Sequence, residues 1–142
     1  MKSVAQMLKQ KPAGLVSIRP NVPVIEALKL FSEKSVGAVL VIDGSRVVGI
    51  LSERDYSRKV EIQGKSASGT LVSEIMTKEV ICVTPEQTNE ECMALMTDKR
   101  LRHLPVLENG DVIGILSIGD LVKDVISEQK FIIEQLEHYI HS

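Results

Sequence analysis

Tryptophan is absent from this 142-residue chain, and tyrosine, phenylalanine and cysteine occur only twice each. With so few rings, any flat ligand must be held by aliphatic walls and backbone groups rather than by aromatic stacking. Cys82 and Cys92 lie in apolar stretches with no C-x-x-C spacing and no clustered histidine, which argues against a metal site or redox couple and for two buried small hydrophobes. His138 and His141 stand three apart on an expected helix, but no further ligand joins them in sequence, so surface placement is the simpler reading. Charge of one sign is also scarce. The 17 basic and 19 acidic residues leave a formal charge of −2, too little to draw the chain onto nucleic acid or an anionic membrane. No apolar run approaches the roughly 20 residues of a membrane span, and MKSVAQMLKQKP lacks the apolar core and cleavage site of a secretory signal. The expectation is a soluble cytoplasmic protein with neither a nucleic-acid nor a membrane partner.

A repetition stands out against this plain background. GILSERD at 49–55 returns as GILSIGD at 114–120, and sliding the sequence on itself by 65 places aligns 16–60 with 81–125 without a gap. Pro20 then pairs with Pro85, Glu26 with Glu91, Leu30 with Leu95, Lys34 with Lys99, Val41 with Val106 and Val47 with Val112. The period is too long for a solenoid unit. It points to tandem duplication of a half-domain, with repeats at 1–65 and 66–142 and the polar EIQGKSASGT (61–70) as a surface connection.

Each copy reads as strand, helix, hairpin, helix. A short apolar strand (16–18; 81–83) ends at a proline, and helical periodicity follows through Val24, Ala27, Leu28 and Phe31 or Cys92, Met93 and Met96. Thr88 and Glu91 have capping-box spacing. Asp43-Gly44 and Asn109-Gly110, each between apolar runs, predict hairpins. The fold class is therefore α+β, with a three-stranded sheet in each half. Packing the two halves about a pseudo-twofold axis would cover both sheets and bring the two GILS turns to one cleft.

At a strand-to-helix junction, unpaired backbone N–H groups and the helix dipole favour an anion or a hydroxyl-rich ligand. Ser52 and Ser117 fall at that junction, and Asp55 and Asp120 follow three residues later, where a carboxylate suits the paired hydroxyls of a ribose. The same Ser-x-x-Asp pattern also caps a helix, and both readings stand.

The repeat with VPVIEALKLFSEKSVGAVLVID, RLRHLPVLENGDVIGILSIGDL and the duplicated G-x-x-S-x-x-D turn resembles the CBS domain, and the tandem resembles a CBS pair, or Bateman module. That resemblance implies an adenine nucleotide held between the repeats: AMP or NAD(H) by preference, with ADP, ATP or S-adenosylmethionine as further options. It assigns ribose and phosphate contacts to Ser52, Asp55, Ser117 and Asp120. It likens Arg102 and His103, which lie between apolar stretches, to a phosphate-binding basic pair. The first repeat has Gly37 and Ala38 there instead, but its turn carries Arg54, with Arg58 one turn on, where the second has Gly119, so the half-sites are expected to differ. Ile18, Leu40, Val83 and Pro105 sit where the walls of an adenine slot are expected, although core residues would look no different.

Beyond the second turn, Ile126, Ile133 and Ile140 recur every seven residues, with Val122, Gln129 and Leu136 between them and Val125, Ile132 and Tyr139 widening the stripe. This long C-terminal helix either packs on Val4, Met7 and Leu8 or joins a second subunit, and a homodimer is expected. The functional expectation is a non-enzymatic nucleotide sensor acting on a protein partner in trans or through its own assembly, with no catalytic residues. The rivals are a structural dimer with vestigial clefts and an enzyme using His103 as a general base near Ser52 or Ser117.

Overall fold

Val24, Ala27 and Phe31 recur at helical spacing, and they are the residues that α2 (Val24–Lys34) buries. The computed structural model describes residues 2–11 and 14–141. Its elements are α1 (Val4–Lys9), β1 (Ser17–Ile18), α2, β2 (Ala38–Asp43), β3 (Arg46–Ser52), α3 (Glu53–Tyr56) running into a π-helical turn (Ser57–Glu61), α4 (Val72–Ile75), α5 (Asn89–Lys99), β4 (His103–Glu108), β5 (Asp111–Ser117) and α6 (Ile118–His141). The α+β order and the long last helix agree with the sequence reading. The 65-residue offset extends to fine detail: both hairpins shift register at equivalent steps, Val41/Ile42 and Val106/Leu107. Both α2 and α5 end on a left-handed residue, Ser35 and Arg100.

The chain forms two compact units, one of Gly14–Ile81 and one of Met1–Ala13 with Cys82–Ser142. These differ from the divisions at 1–65 and 66–142. The reason is a short closing segment in each unit, which in the second comes from the start of the chain. In the first unit, the Val72 and Ser73 N–H groups donate to the Val22 and Pro20 carbonyls, and Pro23 bridges Leu71. In the second, the Val4 and Ala5 N–H groups donate to Gln87 and Pro85, and Ser3 bridges Thr88. Those acceptors are 65 residues apart, so the two short helices dock in the same way, α4 on the repeat that directly precedes it and α1 on the repeat at the far end of the chain. Val4 and Met7, like Val72 and Ile75, are buried by this docking.

The sheets are not alike. In the Gly14–Ile81 unit, β1 runs parallel to β2 and β2 antiparallel to β3, and the Leu40 N–H donates to the Val16 carbonyl at 3.3 Å. At the place of Leu40 the other unit has Pro105, which carries no N–H. The predicted third strand at 81–83 accordingly shrinks to a single bridge, Val83 to Val106, beside the two-stranded β4–β5 sheet. The expectation of two three-stranded sheets is corrected in that respect. The Asn109-Gly110 loop has positive φ at both residues (53° and 84°), as a tight two-residue hairpin requires.

The glycines of the two GILS motifs mark close crossings by the closing segments. A Cβ on Gly49 would lie 2.7 Å from Met76 Sδ and 3.0 Å from the Thr77 carbonyl oxygen, whereas one on Gly114 would meet only the Leu8 side chain, at 2.8 Å. Thr77 is pinned by backbone bonds to and from Ile50 (2.9 and 3.0 Å), but the tip of Leu8 can rotate. Gly49→Ala is therefore expected to destabilise by about 1–3 kcal/mol and Gly114→Ala by clearly less, as read by chemical denaturation. Equal losses would show that both closing segments yield alike.

Candidate functional site

Ser52 and Ser117 end β3 and β5, and both turns close as complete capping boxes. The Asp55 N–H donates to Ser52 Oγ (3.2 Å), while Ser52 N–H and Oγ–H donate to Asp55 Oδ2 (2.9 and 3.0 Å). At the second turn the matching distances are 3.2, 2.7 and 3.0 Å. The capping reading of Ser-x-x-Asp is thus correct for both copies. It leaves different amounts of each carboxylate available.

Asp55 is fully engaged. Its Oδ1 takes an ion pair from Lys59 Nζ at 3.0 Å and a hydrogen bond from Thr77 Oγ1 at 3.3 Å. Asp120 gathers its partners on one oxygen: Oδ2 accepts from Ser117 and from Lys11 Nζ at 2.8 Å, and among the described residues Oδ1 has no partner. Lys11 Nζ also donates to the Ile115 carbonyl at 2.8 Å, the position that the Thr77 N–H serves at Ile50 in the other unit. Burial pushes the Asp120 carboxyl up, but the Lys11 hydrogen bond and charge together with the Ser117 bonds outweigh it and hold the group below the usual carboxylate range.

His103 faces Ser117 across the β4–β5 ladder, and the Arg102 carbonyl accepts from Ile118 N–H at 2.8 Å, so the basic pair borders the Asp120 turn. Burial and then the charge of Lys11 lower the His103 pKa, Asp120 offsets part of this, and Arg102 adds to it. His103 is consequently neutral at pH 7, while Arg102 is exposed. Arg54 and Arg58 are exposed beside Asp55. The helix that Ser52 caps has four α-helical residues before it widens into the π turn, whereas Ser117 precedes the 24-residue α6.

The expected slot residues separate from these turns in part. Leu40 (0% exposed), Val83 (1%) and Pro105 are core residues, with Val83 N–H bonded to the Pro105 carbonyl at 2.9 Å. Ile18 is half-buried and lines a concavity of about 520 Å³ with Ser17, Arg19, Asn21, Ile42, Asp43 and Gly44. That concavity is at the turn of the β2–β3 hairpin, the end remote from Ser52 in the strand register. Among the described residues no three His, Cys, Asp or Glu side chains are gathered to hold a metal. The Cys92 thiol is pushed up to about 11 by burial and then by Glu91, which keeps it protonated and inert.

The profile of the CBS domain matches residues 7–61 and 72–127. The chain belongs to the CBS-domain family. A CBS-domain protein from Burkholderia ambifaria MC40-6 is 52% identical and superposes with a TM-score of 0.87, covering 90% of this chain and 96% of that one. The mitochondrial CBS domain-containing protein CBSX3 of Arabidopsis thaliana is 42% identical over 82% of this chain, which spans 59% of that protein. The CBS domain pair of protein MJ0100, solved with 5′-methylthioadenosine and S-adenosyl-L-methionine, is 22% identical with a TM-score of 0.79 over 90% of this chain and 98% of that one, a likeness of fold. A hexameric CBS-CP12 protein from bloom-forming cyanobacteria is 28% identical over 84% of this chain and 66% of that one, with a TM-score of 0.76. No helix among the described residues of this CBS pair is long and apolar enough to cross a membrane.

Sequence reading missed Lys11, Lys59 and Thr77. Lys59 was accessible as the i+4 partner of Asp55. Lys11 and Thr77 were not, because each reaches its aspartate only through a closing segment.

Proposed function

We propose that this CBS pair is a non-enzymatic sensor of adenine nucleotides, with AMP and NAD(H) favoured over ADP, ATP and S-adenosylmethionine. The observation that carries this reading is Asp120. One oxygen is fixed by Ser117 and Lys11, and the other is open among the described residues, beside His103 and Arg102. A rigid carboxylate with the cations Lys11 and Arg102 nearby, and the neutral His103 as a hydrogen-bonding group, suits a ribose diol followed by a phosphate. The adenosine-derived ligands of MJ0100 lend support from the same fold. Asp55, with both oxygens engaged, acts as a structural cap, so one ligand per chain is expected.

Binding shifts the population of conformations that a protein partner, or a second copy of this chain, reads. We propose a homodimer as the assembled form, and the exposed apolar side of α6 supports it.

Thermal shift with AMP, NAD(H), ADP, ATP, S-adenosylmethionine and 5′-methylthioadenosine tests the reading. A ligand at a hundred times its Kd adds about 2.7 kcal/mol, which for a chain of this size raises Tm by about 5–10 °C. AMP should exceed 5′-methylthioadenosine at low salt and lose that advantage as salt rises, because the difference is the phosphate. No shift with any of the six would overturn the proposal.

A further inference from the structure

Helix α6 buries only one side of its base. Leu121 and Asp124 are buried and Glu128 is half-buried, which orients that side toward its own unit. Val122, Ile126, Ile133, Leu136 and Ile140 lie on the other side, each between 45% and 73% exposed. Residues seven apart return to nearly the same azimuth, so Ile126, Ile133 and Ile140 form one row and Val122, Gln129 and Leu136 the next. From 122 to 140 this seam is about 27 Å long. A contiguous apolar strip of that length on a soluble chain marks an association surface. The packing of α6 on α1 foreseen in the sequence is therefore limited to its base.

We propose that the seam is covered by α6 of a second copy, lying antiparallel. This inference rests on the homodimer proposed above and specifies how it is built. Direction follows from the charges that flank the seam. In an antiparallel pair, the isoleucine row of one helix meets the other row of its partner, which sets Ile126 against Leu136, Ile133 against Gln129 and Ile140 against Val122. The flanking positions Lys123, Lys130 and Glu137 then face one another with the order reversed, and Lys123 meets Glu137 at both ends of the pair. Lys130 meets its own copy at the centre, with Glu134 four residues on along the same flank to offset it. Ile132 meets Ile132 on the opposite flank. In a parallel pair, Lys130 and Glu137 would instead lie against Val125 and Ile132, and neither lysine would find an opposite charge. The antiparallel order thus satisfies two ion pairs that the parallel order leaves unmade.

Sedimentation equilibrium on the full chain, without added nucleotide, tests this. Ile133→Glu, at an exposed position that does not touch the core, is expected to raise the dimer Kd at least 100-fold while leaving the circular dichroism unchanged. Lys123→Glu and Glu137→Lys should each raise it several-fold, since every substitution acts twice in a symmetric pair, and the double variant should return close to the parent value. A chain that stays monomeric at all concentrations overturns both the homodimer and its mode, leaving the strip to a partner of another sequence. Association that Ile133→Glu does not weaken overturns only the α6 seam. Single charge reversals that the double variant fails to rescue overturn the antiparallel order.

Discussion

Replacing Asp120 with alanine is expected to weaken AMP binding about 10- to 150-fold by calorimetry, the equivalent of one charge-assisted hydrogen bond of about 1.5–3 kcal/mol. The carboxylate is already oriented by Ser117 and Lys11, so the ligand does not have to order it. The same substitution deletes a capping box and strands Lys11, which adds a stability loss of about 1–2 kcal/mol. Asp55→Ala is the matched control, since it removes the equivalent cap together with the Lys59 and Thr77 contacts. It should cost comparable stability and little affinity. The acid limb separates the roles further. Because the folded Asp120 pKa is depressed below its ordinary 3.8, its stabilisation is fully present above that value and is lost as pH falls through the lower folded one. Asp120→Ala should remove that part of the acid dependence. Unchanged AMP affinity would reduce Asp120 to a cap.

Asn89→Ala is expected to be among the most damaging single substitutions away from the aliphatic core, at about 3 kcal/mol. Asn89 is fully buried, and its Nδ2 donates to Asp124 Oδ2 at 2.7 Å and to the Leu121 carbonyl at 3.0 Å, tying α5 to α6. Asp124 is itself 2% exposed, and among the described residues its other oxygen has only Lys2 Nζ, at 3.5 Å. Truncating the amide leaves a buried carboxylate short of its nearest donor, and Tm should fall by about 6–12 °C. The double variant Asn89→Ala with Asp124→Ala should lose much less than the sum of the two single changes, because no stranded charge remains. A single-variant loss under about 1 kcal/mol, or strict additivity, would show that water already satisfies the carboxylate.

Both predictions concern residues whose roles were legible to different degrees. Ser117 and Asp120 could be read as a cap and a ligand site together because the motif occurs twice. The gapless register also carried the hairpins and helices, since equivalent apolar positions bury equivalent side chains. Two departures from that register held information that propensity alone does not expose. Pro105 stands where the first copy has Leu40, and the missing N–H accounts for the lost strand. Asn89 stands where the first copy buries Val24, and Asp124 where it has Lys59, so a polar pair replaces an apolar residue and a cation. Lys11 was beyond reach for a different reason. Val4 and Val72 are 68 residues apart rather than 65, so the closing segments fall out of the repeat alignment, and their long-range docking leaves no local signature.

The docking of α1 on the second repeat also sets an order of assembly during synthesis. The unit of Gly14–Ile81 is contiguous and can complete its core of Val24, Phe31, Leu51, Val72 and Ile75 once residue 81 has cleared the ribosome. The segment bearing Val4 and Met7 is made earlier still, yet its acceptors on Pro85 and Gln87 do not exist at that stage. Helix α1 thus waits, unpaired with its own edge, until the second repeat is made. The unit of Met1–Ala13 with Cys82–Ser142 is therefore the one that closes last, with the first-made helix as its final piece.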